Sequence, residues 1–183
     1  MVNRDLGNQI GVQGLLTWPA HDICLHIQGG GWQDRLRSIE TFVSETAIAV
    51  LSHEWKLDRP TELSVVLADD AFVKGLNISY RDHSGSTNVL SFPAFAGDSV
   101  QVSQEDANEP ILLGDVVLAF ETCVAEARRV NSASPFADHA RHLLVHGILH
   151  LLGYDHEEEA DAIRMEALET RMLSVFSVAN PYG

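Results

Sequence analysis

Three histidines in the last quarter of the sequence have the spacing of a metal site. They are His146, His150 and His156, within the segment "VHGILHLLGYDH". Residues i and i+4 of a helix lie on the same face, so His146 and His150 are predicted to present their imidazoles side by side. Gly153 can adopt the positive φ that ends a helix, which allows the chain to return His156 to that face. The sequence therefore predicts three converging imidazole nitrogens.

Three imidazoles leave a fourth coordination position open, which is typical of a catalytic zinc site rather than a closed structural one. A metal in such a site activates water for hydrolysis. We therefore expect one divalent cation, zinc, per chain on His146, His150 and His156, with His146 also counted among the catalytic residues. The alternative interpretation is that these histidines belong to the core or to a solvated cluster. Their number and their spacing around Gly153 favour the metal site.

The spacing H-x-x-x-H-x-x-G-x-x-H also occurs in metzincin peptidases, in which a glutamate follows the first histidine and acts as general base. This chain has Gly147 at that position. Without a carboxylate there, the usual peptidase mechanism lacks its proton shuttle. The sequence therefore favours a different hydrolytic reaction. A peptidase, or another metallohydrolase acting on small substrates, stays open as the weaker alternative.

The elements that must position the histidines alternate between strands and helices. Apolar periodicity, glycine, proline and capping residues predict strands at 22–28, 62–68, 87–95 and 111–120, and helices at 32–55, 70–81, 121–130, 136–152 and about 157–175. Residues 1–20 are interpreted as an irregular N-terminal extension and 96–110 as an acidic loop. Residues 21–183 are predicted to form a single catalytic domain with a small sheet, in the α+β class (α/β-like).

The formal net charge of -14 restricts the possible partners. A protein that binds nucleic acid non-specifically usually carries a basic field, so charge counts against that class. A nucleic-acid function would have to depend on a local basic site or on a partner that delivers the substrate. No apolar run is long enough to span a membrane, and the first residues lack the features of a secretory signal. We therefore expect a cytoplasmic protein with no membrane partner.

Four segments together closely resemble the YbeY family, bacterial metal-dependent endoribonucleases of rRNA maturation. They are "VHGILHLLGYDH", "LNISYR" followed by "TNVLSFP", "LLGDVVLA", and the tail "RMEALETRML". The resemblance covers roughly residues 60 to 183. It implies a small, mostly parallel four-stranded sheet flanked by helices. It also implies single-strand-specific cleavage of RNA in rRNA maturation and ribosome quality control.

The resemblance also implies roles for individual residues. It assigns the metal, usually zinc, to His146, His150 and His156, and it carries a functional arginine over onto Arg81. A guanidinium suits phosphate because its planar fork pairs with two oxygens and keeps its charge. The implied partners are RNA, the small ribosomal subunit and assembly factors, and no DNA is expected. A ribosome-assembly factor with a structural zinc and little catalysis stays open as an alternative.

Three acidic or basic positions have a structural interpretation beside the functional one. An arginine at a helix end, such as Arg81, is by default a surface or capping residue. Asp115 and Asp155 are candidate acceptors for the outer N–H groups of the ligand imidazoles. The alternative interpretation is that Asp115 interrupts the end of a strand and that Asp155 is a turn residue. Between Arg81 and Thr87 the family commonly has a lysine and a proline, whereas this chain has "DHSGS", which predicts a looser loop with weaker phosphate contact.

Overall fold

The computed structural model describes residues 21–56, 59–81, 87–95 and 109–183. The expectations for residues 1–20, and for nearly all of the acidic loop, concern positions outside these ranges. The described elements, in chain order, are β1 (His21–Gln28), α1 (Trp32–Arg35), α2 (Ile39–Glu54), β2 (Thr61–Ala68), α3 (Asp70–Arg81), β3 (Val89–Pro93), β4 (Ile111–Ala119), α4 (Phe120–Ala127), α5 (Pro135–Leu151) and α6 (Glu159–Ser174). None of these helices is both long and apolar enough to cross a membrane.

The strands form one four-stranded sheet in the order β1-β2-β4-β3. β1 pairs in parallel with β2, and β2 in parallel with β4, whereas β3 is antiparallel to β4 at the edge. The central strands β2 and β4 are rich in valine and leucine, as expected for parallel strands that helices cover. The prediction of a single-domain α+β fold with a small, mostly parallel sheet is confirmed.

Helices cover the two faces of the sheet unequally. Alternate residues of β4 point to opposite faces: Val116 belongs to the large core with α2, α5 and α6, and Val117 to a smaller cluster with Val73 of α3. Leu144 and Ile148 of α5 are fully buried in the large core. Burying each such side chain stabilises the fold by about 1.5–3 kcal/mol. This packing holds α5, and the histidines on it, rigidly against the sheet.

The prediction of one helix over 32–55 is wrong, because α1 and α2 are separate helices. Leu36 is extended at the end of α1, and Ser38 has a φ of 48°, in the left-handed region. Trp32 is fully buried and its indole N–H donates to the carbonyl of Ala68 at 3.1 Å. The apolar spacing runs across the break because residues on both sides of it enter the same core.

Candidate metal centre

The bend after α5 brings the third histidine back towards the first two. Gly153 has a φ of +88°. Its N–H donates to the carbonyl of His150 and the N–H of Tyr154 donates to the carbonyl of Leu149, both at 3.1 Å. This pair of bonds is a Schellman motif, which ends a helix and reverses the chain. The hydroxyl of Tyr154 also donates to Glu54 of α2, so the segment that follows Gly153 is anchored to a second helix.

The three histidines converge as the spacing indicates. One nitrogen each of His146, His150 and His156 lies within 4.8 Å of the other two. The Nε2 atoms of His146 and His150 are 3.1 Å apart. A tetrahedral zinc with Zn–N bonds of about 2.0–2.1 Å separates its nitrogen ligands by roughly 3.3 Å. The three side chains therefore fit a metal ion, and no other such group of three occurs in the ranges that the structure describes.

The protonation state of His150 also suits a ligand. Burial, followed by the neighbouring imidazoles of His146 and His156, lowers the pKa of His150 to about 4, with Asp155 opposing the shift. Loss of water and the two neighbouring imidazoles disfavour the imidazolium, whereas the carboxylate of Asp155 favours it. Metals bind the neutral imidazole, so this side chain is ready to coordinate at neutral pH.

A buried carboxylate lies directly behind the cluster. His146 Nδ1 donates to Oε1 of Glu169 at 2.8 Å, and Glu169 is 1% exposed. Burial raises the pKa of Glu169, but hydrogen bonds from His142, His146 and Tyr182 outweigh burial and hold that pKa at about 2. The carboxylate is therefore ionised and serves only as an acceptor.

Glu169 is not among the site residues predicted from the sequence, although the sequence contains a signal for it. Met165 and Met172 are buried on the inner face of α6, and Glu169 follows Met165 by four residues. A glutamate within the apolar face of a helix has to find donors, because an unpaired buried charge is costly. The partners themselves could not be identified, since Tyr182 lies beyond the end of α6 and His142 is on another helix.

Gly147 packs against the sheet rather than towards the cluster. A Cβ at this position would lie 2.5 Å from Cγ1 of Val116. The carbonyl of Gly147 accepts a hydrogen bond from Oγ of Ser91 at 3.0 Å. Position 147 therefore has no room for the glutamate that a peptidase of this spacing carries, and the close approach of α5 to β3 and β4 requires glycine.

The histidine cluster opens onto a groove of about 800 Å³. One wall comes from the region of β3 and includes Asn88, Ser91 and Phe95, and the other comes from the bend after α5 and includes Asp155 and Glu157. Of the described lining residues, none is a lysine or an arginine. The described walls of the groove thus supply little positive charge of their own.

Arg81 is the last residue of α3, and its side chain lies outside the described part of the structure. The ring of its neighbour Tyr80 packs edge-on against Phe92 of β3, with ring centroids 5.5 Å apart. Phe92 belongs to the smaller cluster with Val73, whereas the alternate residues Val89 and Ser91 line the groove, so Tyr80 contacts the face of β3 that is opposite the groove. The helix predicted at 70–81 is found, and Asp69 caps it through a 2.8 Å bond from the N–H of Phe72.

The two aspartates that the sequence suggested as outer acceptors lie in different places. Asp155 lines the groove, but its Oδ1 accepts the backbone N–H of His156 at 2.7 Å. Asp115 is exposed, and it lies on the opposite face of β4 from Val116, which packs against α5. Across the described residues, neither carboxylate accepts a hydrogen bond from the imidazole of His146, His150 or His156. Glu169 occupies that place instead.

An open cluster of three histidines at a groove is typical of metal-dependent hydrolases. Residues 33–177 match the sequence profile of the family Endoribonuclease YbeY. Endoribonuclease YbeY of Paramagnetospirillum magneticum is 43% identical over 162 residues, which cover 88% of this chain and 96% of that protein. The Rhodospirillum rubrum relative is 44% identical over 160 residues, covering 84% of this chain and 78% of that protein. The chain therefore belongs to the YbeY family of endoribonucleases, which confirms the resemblance.

A solved structure is also similar. The solution structure of TM1509 from Thermotoga maritima has a TM-score of 0.52 and 24% sequence identity, and the match covers 83% of this chain and 87% of that chain. At this identity the likeness supports the fold alone.

Proposed function

We propose that this chain is a cytoplasmic, single-strand-specific endoribonuclease of rRNA maturation and ribosome quality control that uses zinc on His146, His150 and His156. The observation that carries this proposal is the set of three imidazole nitrogens within 4.8 Å of one another at a groove. Membership of the family supports RNA as the substrate class. A structural zinc is usually closed by four protein ligands, so the open groove favours catalysis over the assembly-factor alternative.

Bound there, the cation would supply Lewis-acid activation of a water molecule or a ribose 2′-hydroxyl for attack on a phosphodiester. The three imidazoles would hold and orient this cation. His146 is proposed as a catalytic residue because it would help to hold the cation. Arg81 is proposed to neutralise the charge that grows on the phosphoryl oxygens in the transition state. The family resemblance supports this role, and so does the short stretch of sequence between Arg81 and the groove-lining residues Thr87 and Asn88.

The charges of the molecule limit how RNA reaches the site. The net charge is -14, and Asp155 and Glu157 lie on the groove wall. Free RNA should therefore bind weakly, because phosphate binding normally depends on lysine and arginine. We propose that the small ribosomal subunit and assembly factors deliver the substrate. The strand must be single or frayed, since the stacked duplex holds its backbone away from a metal in a groove.

The proposal is tested with protein purified without chelator. Metal content is measured first, and cleavage is then followed on an RNA that carries a defined rRNA end, both single-stranded and annealed to its complement. We expect about one equivalent of zinc and metal-dependent cleavage of the single strand alone. Casein should not be hydrolysed, because Gly147 leaves no general base. Stoichiometric zinc without any RNA cleavage, even on small ribosomal subunits, would favour the structural-zinc alternative.

A further inference from the structure

Both oxygens of the Glu169 carboxylate accept hydrogen bonds. Oε1 accepts His146 Nδ1 at 2.8 Å. Oε2 accepts one hydrogen bond from Nε2 of His142, at 2.7 Å, and another from the hydroxyl of Tyr182. The residue is 1% exposed, so water does not compete for these donors. A carboxylate held in this way has one orientation relative to α5.

A neutral imidazole has one N–H donor and one bare acceptor nitrogen, and the partner of one nitrogen decides the state of the other. Because His146 donates from Nδ1 to Glu169, its Nε2 carries the lone pair. That Nε2 is the atom 3.1 Å from Nε2 of His150, at the centre of the cluster. The contact with Glu169 therefore selects the nitrogen that a metal needs.

We propose that Glu169 is a positioning residue that fixes His146 as the Nδ1–H tautomer with Nε2 aimed at the metal, and that His142 and Tyr182 hold Glu169 in place. This inference rests on the proposed metal site, and its test does not depend on RNA cleavage. Glu169 is buried behind His146 and bonds to its Nδ1, so it acts through His146.

The support of Glu169 comes from two separate parts of the chain. His142 lies one turn before His146 on α5, whereas Tyr182 follows the end of α6. The N–H of Tyr182 and Oγ1 of Thr170 each donate to Oδ1 of Asn180 at 3.0 Å. These bonds attach the segment that carries Tyr182 to α6, the helix of Glu169. The hydroxyl of Tyr182 is thereby held against Oε2 of the carboxylate.

The main test is the affinity for Zn²⁺ alone, measured by competition with a fluorescent chelator. Glu169→Gln should weaken binding by about 10- to 100-fold, the usual effect of removing the partner of a metal-bound histidine. Tyr182→Phe should weaken it less, by about threefold, because Glu169 keeps both imidazole contacts. The matched control is Glu166→Gln, the same change at an exposed position of α6. Its affinity should stay within about twofold of the wild type.

A second measurement needs no substitution. Long-range ¹H–¹⁵N spectra of the metal-free wild type should show His146 protonated at Nδ1. In Glu169→Gln the Nε2–H form should become populated, an effect that a merely structural change elsewhere would not produce. Thermal unfolding of each metal-free variant shows whether it is folded.

The outcomes separate this inference from the proposed function. An Nε2–H tautomer of His146 in the wild type, or wild-type zinc affinity in folded Glu169→Gln, overturns the role of Glu169 and leaves the metal site intact. If Glu169→Gln does not fold, the test uses the tautomer of His146 in the wild type and the zinc affinity of Tyr182→Phe. A zinc affinity of Tyr182→Phe equal to that of the wild type overturns the proposal. A wild type that binds no zinc contradicts the proposed metal site itself.

Discussion

Two histidine–carboxylate contacts along α5 have the same length and different surroundings. Near the start of the helix, His139 Nε2 lies 2.8 Å from Oε2 of Glu126, whose side chain is 36% exposed. Further along, His146 Nδ1 lies 2.8 Å from Glu169, which is 1% exposed. The distances do not distinguish the two contacts, but burial does.

What lies beyond each contact also differs. Oε2 of Glu126 accepts a second bond from Nδ2 of Asn88 at 2.9 Å, so this carboxylate joins α4 and α5 to the residue before β3. Glu169 instead faces a histidine whose other nitrogen points into the cluster. A histidine–carboxylate contact therefore predicts a ligand only when the remaining ring nitrogen converges with others.

His150→Ala should abolish metal binding. Two remaining imidazoles do not make a zinc site, so we expect less than about 0.1 equivalent of metal and RNA cleavage at the background level. Elemental analysis and a cleavage assay check this. The matched control is His139→Ala, the same change on the same helix, which should keep its full equivalent. Stoichiometric zinc in His150→Ala would show that the cluster is not the binding site.

Arg81→Ala should reduce RNA cleavage without reducing metal binding, because it changes neither of the two histidine–carboxylate contacts on α5. We expect zinc to be retained and the free energy of unfolding to stay within about 1 kcal/mol of the wild type. RNA cleavage should fall by a factor of about 10² or more, as when a preorganised charge at the transition state is removed.

Arg81→Lys is the conservative companion of that variant. It should recover only part of the rate, because an ammonium offers a point charge without a bidentate fork. Cleavage at the wild-type rate in Arg81→Ala would exclude this role for Arg81. Loss of the metal or of the fold would show that Arg81 is structural.

Acid should act on the cluster in two ways. The pKa of His150 is about 4 in the folded, metal-free protein against an ordinary value of 6.5. The unfolded chain therefore takes up this proton at a higher pH than the folded chain does. Protonation of His150 leaves the free energy of unfolding unchanged above about pH 6.5 and lowers it as the pH falls from 6.5 towards 4. Protons also compete with zinc for all three imidazoles, and affinity should fall below about pH 6. Denaturant titrations and chelator competition across this window check both effects. An affinity that does not change down to about pH 5 would contradict imidazole ligation.

Glu126→Gln should have the smallest effect. This carboxylate is 36% exposed, and its partner His139 lies outside the histidine cluster. We therefore expect a zinc affinity within about twofold of the wild type and a free energy of unfolding within about 1 kcal/mol of it. The comparison with Glu169→Gln is direct, since both changes replace a carboxylate by an amide beside a histidine of α5. A loss of affinity at Glu126 as large as that at Glu169 would remove the distinction drawn between the two contacts.

Local patterns were sufficient for most of the fold and for the cluster. Apolar periodicity located all four strands to within two residues at each end, and the i, i+4 spacing with Gly153 located the cluster of three histidines. The break at Ser38 was missed, because a single left-handed residue leaves the apolar spacing of both flanking helices intact.

The outer part of the site was harder to predict, since it depends on how separate helices face one another. Asp115 and Asp155 are predicted from the sequence as acceptors for the outer N–H groups of the imidazoles, yet strand alternation places Asp115 on the face opposite Val116. Glu169 is 13 residues past His156 in sequence and reaches the site only because α6 packs on α5. Arg81 stays a prediction from the family resemblance.

The order of the elements along the chain has a kinetic consequence. β2 and β4 pair in a register that joins Thr61 to Ile111, two positions far apart along the chain. Their pairing therefore has to wait until a long loop closes. All four strands precede α5, the helix that covers the large core. That same helix carries His146 and His150. Docking of α5 therefore brings His146 and His150 into place together with the apolar side chains that α5 adds to the core, while α6 and His156 follow it in the chain. A bound cation would slow the undocking of α5 without assisting the earlier pairing of the strands.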